Sequence, residues 1–380
     1  MSTLDPVKEH SFRRDFGAAQ QTVLQGISPG RATKTVTAWD KWIEFTTDLG
    51  LDPFLQAFHD KIPFLQVFAA RVHSGELAAS GNPIRARSAE DYVRMVGQTF
   101  LHVGANDPRL NSACKIDFRI SRTISAWKKT DLPPKRVKPI PIQVIRRIAS
   151  VSYTTFASPL CRAIADMIIL AFFFLLRPGE YTDNDGDTDK HPFLLENVQL
   201  FIGDTRLNLM TDPDSRLQQA RFASLTFTTQ KNGVQGEVIG LACSGDAVMC
   251  PVKAIVRRVL YLRHNGALPT TPLAHVYNST GLVTADAITN CIRTAVSDLG
   301  PTLGFMPCDV SARCLRAAGA TALLLAQVDT DIIRLIGRWK SDEMLRYLHI
   351  QAYPLMRNYS QLMLSAGTYT LIPNHLVPMK

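Results

Sequence analysis

The chain has 380 residues, 46% of them hydrophobic and 20% charged, and a net charge of +9 from 42 Lys and Arg against 33 Asp and Glu. That length exceeds one ordinary core and suits two or three domains, and the apolar content excludes a disordered chain. The basic surplus fits a phosphate-rich partner, because counterion release drives most nucleic-acid affinity, although a high isoelectric point alone is common in soluble proteins.

The opening residues MSTLDPVKEHSFRRDF contain no apolar signal core. The greasiest run, Met167–Leu176, falls short of the roughly 20 residues a bilayer requires, so no membrane segment is expected. The seven cysteines (114, 161, 243, 250, 291, 308 and 314) include no C-x-x-C pair, which predicts a reducing, intracellular compartment and no metal site. No internal repeat is present.

A tail over 1–29 precedes a stretch, 30–128, whose patterning is helical throughout. Val36, Trp39 and Ile43 mark an apolar stripe, and Ser88 with Asp91 resembles a capping box ahead of Tyr92, Val96, Phe100 and Val103 on one face. Arg85 and Arg87, just before that helix, are placed to meet a partner. The clearest seam is Lys128–Pro141, KKTDLPPKRVKPIP, with four prolines and five basic residues. Prolines deny such a segment helical hydrogen bonds, so 129–141 reads as a basic linker carrying Lys135, Arg136 and Lys138.

Beyond it, 142–360 is mixed. Leu160–Leu176 predicts a buried helix that ends at Arg177, because Pro178 disfavours helical geometry before it. Asp183–Asp189 lacks the glycine and glutamate of a calcium loop and reads as a solvated acidic turn. Alternation over Arg221–Gln230 and Val234–Ala242, around Lys231-Asn232-Gly233, predicts a β-hairpin. Helices are expected at Pro251–His264, Ala285–Leu299, Ser311–Gln327, Thr330–Ile336 and Asp342–Ala352, the last capped by Ser341 and stopped before Pro354. An apolar tail, 361–380, follows. The fold class expected is mainly α with a small antiparallel sheet: an all-helical domain followed by a mixed α/β domain.

Four separated pieces share a chemical theme: Leu175-Leu-Arg-Pro-Gly-Glu-Tyr181, Lys231 at the hairpin tip, Arg313-Cys-Leu-Arg316 opening a helix, and Gly337-Arg-Trp-Lys-Ser-Asp-Glu-Met-Leu-Arg-Tyr347. Cutting DNA without a metal requires in-line attack on a phosphodiester, with charge gathering on its non-bridging oxygens. Forked, permanently charged guanidiniums suit those oxygens, and a phenol can attack and store the bond as a phosphotyrosine.

Over Gln143 to about Pro354 these pieces resemble, in order, the conserved boxes of the tyrosine recombinase (phage integrase-like) family. The wording "G-R-W-x-S-D…Y" is similar to recombinases of eukaryotic mobile elements. The resemblance implies that Arg177 and Arg316 clamp the phosphate, Tyr347 attacks it, Lys231 protonates the 5′-hydroxyl leaving group and Glu180 supports the arginines. It further implies a helical core-binding domain, a C-shaped clamp around double-stranded DNA, and a homotetramer on paired sites that trades C-terminal segments. No cofactor is implied, and the location implied is intracellular, with DNA, in the nucleus if the source is eukaryotic. Arg85, Arg87, Lys135, Arg136, Lys138 and Arg338 would touch DNA phosphates.

Two positions depart from the family pattern. The usual histidine is Arg313 here, and arginine can bind phosphate but cannot give up a proton. The family's His or Trp position falls on Arg338 by counting back from Tyr347, yet Trp339 is the accepted residue type and is preferred here as a catalytic indole N–H donor. His275 and His349 could replace the missing histidine, and Tyr353 and Tyr359 are rival nucleophiles.

Taken singly, each residue has a duller reading. Arg177 could complement a helix C-terminus, Glu180 could be its surface ion-pair partner, Arg316 could be structural, and Tyr347 could be a half-buried packing residue. The alternative function is a catalytically degenerate DNA-binding protein that keeps the recombinase fold. A helical interaction protein without a nucleic-acid partner is a third reading.

Overall fold

The computed structural model describes residues 6–27, 29–78, 81–132, 138–182, 192–228, 236–277, 281–300, 303–304, 306–340 and 345. The chain divides into two compact units, Met1–Pro134 and Lys135–Lys380.

The first unit consists of helices α1 (Pro6–Gln25), α2 (Pro29–Asp48), α3 (Ile62–Ser74), α4 (Ala86–His102) and α5 (Phe118–Thr130). Its core joins Trp42, Phe45, Phe68, Val96, Phe100 and Ile124. Edge-on and tilted aromatic contacts, such as Trp42–Phe68 at 5.1 Å, knit α2 to α3. The buried stripe of α2 is therefore Ala38, Trp42 and Phe45, whereas Val36 and Ile43 are exposed, a correction to the stripe expected from sequence. Trp39 sits at the edge of both stripes and is half-buried. The larger rings win the inward face because they remove more apolar area from water.

Helix α4 starts at Ala86, two residues before the expected cap at Ser88, which lies inside the helix. Its first free N–H, that of Ala86, donates instead to Asp131 Oδ2 at 2.8 Å, a carboxylate just past the end of α5. The cap is tertiary, so no local motif announces it.

In the second unit, α6 (Ile142–Ser152), α7 (Pro159–Phe173), α10 (Pro251–His264), α11 (Ala285–Leu299), α12 (Cys314–Leu325) and α13 (Thr330–Gly337) accompany the short turns α8 (Pro178–Tyr181) and α9 (Asp214–Leu217). Helix α7 is buried on every side from Ala163 to Phe172 and packs against α6, α10, α11 and α12, as a helix apolar all round must. A four-stranded antiparallel sheet runs in the order β2 (Thr205–Arg206), β1 (Val198–Ile202), β3 (Phe222–Phe227), β4 (Glu237–Ala242). Strands β5 (His275–Val276) and β6 (Gly281–Leu282) form a separate pair.

The fold class is as expected, mainly α with a small antiparallel sheet. Helices α10 and α11 match their expected bounds, and β3 and β4 pair antiparallel from Phe222↔Ala242 to Phe227↔Glu237. The hairpin tip with Lys231, the acidic turn Asp183–Asp189 and the helix expected at Asp342–Ala352 lie outside the described residues, apart from Leu345. No helix among the described residues is long and apolar enough to cross a membrane. Among them, no cluster of His, Cys, Asp or Glu could hold a metal ion.

Candidate active site

The site is built where α7 ends. The helix stops at Phe173, earlier than the bound expected from Pro178, because Leu175 turns left-handed with φ +51°. The Leu176 N–H then donates back to the Ala171 carbonyl at 3.0 Å, closing a Schellman turn without the glycine that usually marks one. This turn leaves the Phe174 and Leu175 carbonyls facing inward at the negative end of the helix dipole, where they need donors.

Two arginines from distant segments supply them. Arg316 Nη1 donates to Leu175 O at 3.0 Å and its Nη2 to the Gly337 carbonyl. Arg338 Nη1 donates to Phe174 O and Ile336 O at 3.2 and 3.0 Å, and its Nη2 to Leu175 O at 3.2 Å. Both side chains are buried, and burial pulls the Arg338 guanidinium below its ordinary value, partly offset by Glu180. Neither can shed its charge, so each is compensated in place. The Trp339 ring lies 4.2 Å from the Arg316 guanidinium carbon and the Phe227 ring 3.8 Å from that of Arg338.

Glu180 ties the cluster together. Its Oε2 accepts from the Arg177 backbone N–H at 2.8 Å and from Arg338 Nη2 at 2.9 Å, while its Oε1 accepts from Arg177 Nη1 at 2.9 Å. Arg177 is the N-cap of α8, just beyond the end of α7. Its side chain keeps 24% of its surface exposed, against 1% for Arg338.

Small residues let these segments approach. A Cβ on Gly319 would collide with the Phe172 carbonyl and the Leu175 side chain, so α12 can lie against the end of α7 only with glycine there. A Cβ on Gly337 would collide with the Trp339 ring. Helix α13 then closes as α7 does: Arg338 is left-handed at φ +57°, and the Trp339 N–H donates to Arg334 O at 3.0 Å.

Arg177, Glu180, Arg316, Arg338 and Trp339 thus meet in the second unit, next to the ends of β3 and β4 at Phe227, between which Lys231 falls in the chain. Arg313 is exposed at the start of α12, which begins three residues later than expected. Tyr347, Lys231, Lys135 and Arg136 lie outside the described residues, as do His349, Tyr353 and Tyr359.

Arg338, expected to touch DNA, is instead an interior residue. Lys138, expected to contact phosphate, pairs with Asp309 at 3.2 Å. In the first unit Arg85 and Arg87 are exposed at the start of α4. His275 packs edge-on against Tyr277 at 4.5 Å. Sequence reasoning missed the Phe174 and Leu175 carbonyls and the Phe227 ring, for which no residue-type signal exists. Arg338, reached by the nine-residue count back from Tyr347, and Trp339, preferred for its residue type, both lie in this cluster.

No family model matches the chain, and no curated protein matches it. Among solved structures, it is similar to the Tn1549 transposon integrase in complex with circular intermediate DNA, at 14% identity over 86% of this chain and 98% of that one, with a TM-score of 0.44. It is similar also to XerH site-specific recombinase bound to a palindromic difH substrate, at 13% identity, 86% and 76% coverage and a TM-score of 0.49. A lambda integrase dimer bound to a COC′ core site gives 13% identity, 92% and 82% coverage and a TM-score of 0.45.

Proposed function

We propose that the chain breaks and rejoins DNA strands through a 3′-phosphotyrosyl intermediate on Tyr347. The observation that carries this reading is convergence: guanidiniums from α12 and the end of α13 both donate to Leu175 O, and Glu180 joins the Arg177 guanidinium of the α7–α8 turn to that of Arg338. Arg177 keeps an open edge for the non-bridging oxygens of a phosphodiester, and Arg316 adds fixed positive charge beside it. Glu180 aligns Arg177, and Trp339 holds Arg316 in place. In the reaction, the Tyr347 phenol gives its proton to solvent as its oxygen bonds to phosphorus, the bond from phosphorus to the 5′-oxygen breaks, and Lys231 supplies the proton to that oxygen. Rejoining reverses the steps. Arg85, Arg87, Lys135 and Arg136 would position the duplex through phosphates. The working assembly on this reading is a homotetramer on paired sites of a mobile element, in the nucleus if the source is eukaryotic.

One observation favours a second reading, a DNA-binding protein without chemistry. Arg313 stands where a proton-transferring histidine would be, and a guanidinium cannot accept the phenol proton. Incubation with a pool of randomised, nicked duplexes separates the two. Strand breakage predicts a denaturant-stable protein–DNA adduct that Tyr347→Phe abolishes and that Arg177→Ala reduces by about 100-fold or more. Salt-sensitive DNA binding without an adduct selects the second reading. Binding that is weak and insensitive to salt removes DNA from the account.

A further inference from the structure

We propose that His73 is a proton-sensing residue whose charged form locks the start of α4, and with it Arg85, to the ends of α3 and α5. The inference is independent of the DNA reading. The His73 ring lies flat on the Trp127 indole, with centroids 4.4 Å apart and planes 6° from parallel. Its Nε2 is buried and has no hydrogen-bond partner among the described residues. Asp131 Oδ1 stands 3.5 Å from it, beyond ordinary hydrogen-bond length. A neutral ring leaves Nε2 unsatisfied in either tautomer: as a lone pair it faces a carboxylate, and as an N–H it falls short of one.

A second proton on the ring changes this. The imidazolium attracts Asp131, and a shift of about half an ångström brings the pair to ordinary hydrogen-bond length. The indole face and the carbonyl end of α3, where His73 lies in the last turn, also favour the charge, and burial opposes it. The other charged side chains near this end of α3, α4 and α5 are paired elsewhere or face solvent. Arg71 pairs with Glu76 at 3.5 Å and Lys128 with Glu90 at 2.6 Å, while Arg85, Arg87 and Lys129 are exposed. Histidine ordinarily changes charge between about pH 5 and 8, so that range sets the lock.

Asp131 passes the change on to α4. Its Oδ2 accepts from the Ala86 N–H at 2.8 Å, and its own N–H donates to Trp127 O at 2.8 Å. The His73 carbonyl accepts from the Ile84 N–H at 3.0 Å. Arg85 therefore sits between two backbone anchors, one made by His73 itself and the other by the carboxylate that its ring reaches. The proton closes this circuit, and its loss opens the circuit on the Asp131 side. The Arg85 carbonyl accepts from the Ser88 and Ala89 N–H groups at 2.8 and 3.1 Å, so the first turn of α4 follows Arg85.

The test follows tryptophan emission and amide hydrogen exchange of the folded full chain between about pH 8 and pH 5. An imidazolium stacked on an indole quenches its emission far more than a neutral imidazole does. Emission should therefore fall along a single-proton curve that His73→Gln and Trp127→Phe each remove. After division by the intrinsic chemical rate, exchange of the Ala86, Ser88 and Ala89 amides should slow by about 5-fold at the acid end, the equivalent of a partly solvated ion pair. Asp131→Asn should keep the quenching and lose the slowing. Circular dichroism reports whether each variant is folded, and the wild-type chain decides the matter without them. Wild-type emission that is flat over this range overturns the proposal, and so does exchange at the start of α4 that tracks the chemical rate alone. An emission curve that persists in folded His73→Gln overturns it as well.

Discussion

Neutralising Glu180 tests whether the three-arginine cluster depends on this carboxylate. Glu180 is 9% exposed and accepts from Arg338 at 2.9 Å and from Arg177 at 2.8 and 2.9 Å. In Glu180→Gln the Arg338 guanidinium, 1% exposed, loses its counter-charge. Stranding one member of a buried pair costs about 3–5 kcal/mol. Arg338 keeps its bonds to Phe174, Leu175 and Ile336, and glutamine keeps one acceptor oxygen, so the lower end, about 3 kcal/mol, applies. The Arg177 arm, being partly solvated, adds less than about 1 kcal/mol. Urea unfolding followed by far-ultraviolet circular dichroism reads the loss in the transition of the second unit. Arg338→Met together with Glu180→Gln should lose about 2 kcal/mol less than the sum of the single changes, because the charges that strand one another leave together. A Glu180→Gln loss below about 0.5 kcal/mol, or strictly additive variants, would refute the reasoning.

Three further outcomes follow from the packing and the charge pairs. Gly337→Ala should cost roughly 1–3 kcal/mol and reduce the near-ultraviolet dichroism of Trp339, since the added methyl meets its ring; an unchanged spectrum and stability would contradict that contact. Phe45→Ala should destabilise the first unit by about 3–5 kcal/mol in a urea titration, whereas Val36→Ser, on the exposed face of α2, should change it by less than about 0.5 kcal/mol. Arg119 holds the Asp60 and Asp117 carboxyls below their ordinary range through hydrogen bonds. Lowered carboxyl values add stability that is present above the unfolded value, near about pH 4, and is lost as pH falls through the folded values. Arg119→Gln should therefore flatten the acid limb of stability against pH, read by tryptophan emission; an equally steep limb would show the pairs to be inert.

Much of the second unit was legible because periodicity and caps agreed. Pro251 and Thr284 open α10 and α11 where proline at the first position and a threonine cap indicate a start. The end of α7 was not legible, since Leu175 closes it in the left-handed conformation that glycine normally signals; Arg338 adopts the same conformation after α13, which ends at Gly337, one residue beyond the expected bound. These two positions lie inside the candidate site, where local preference gives way to a tertiary arrangement. The stripe of α2 was misplaced by one residue step because three moderately apolar residues at helical spacing mimic a face, while Trp42 and Phe45 decide the packing. The arginine boxes were legible as charge and order. Which guanidinium is open and which is buried was not, because that depends on the Phe174 and Leu175 carbonyls, invisible in residue types.

The most direct test is to digest the denaturant-stable adduct and find by mass spectrometry which side chain carries the nucleotide. The account predicts a nucleotide joined through its 3′-phosphate to the Tyr347 oxygen. A nucleotide on Tyr353 or Tyr359, or an unmodified Tyr347 in protein that has cut DNA, would contradict it.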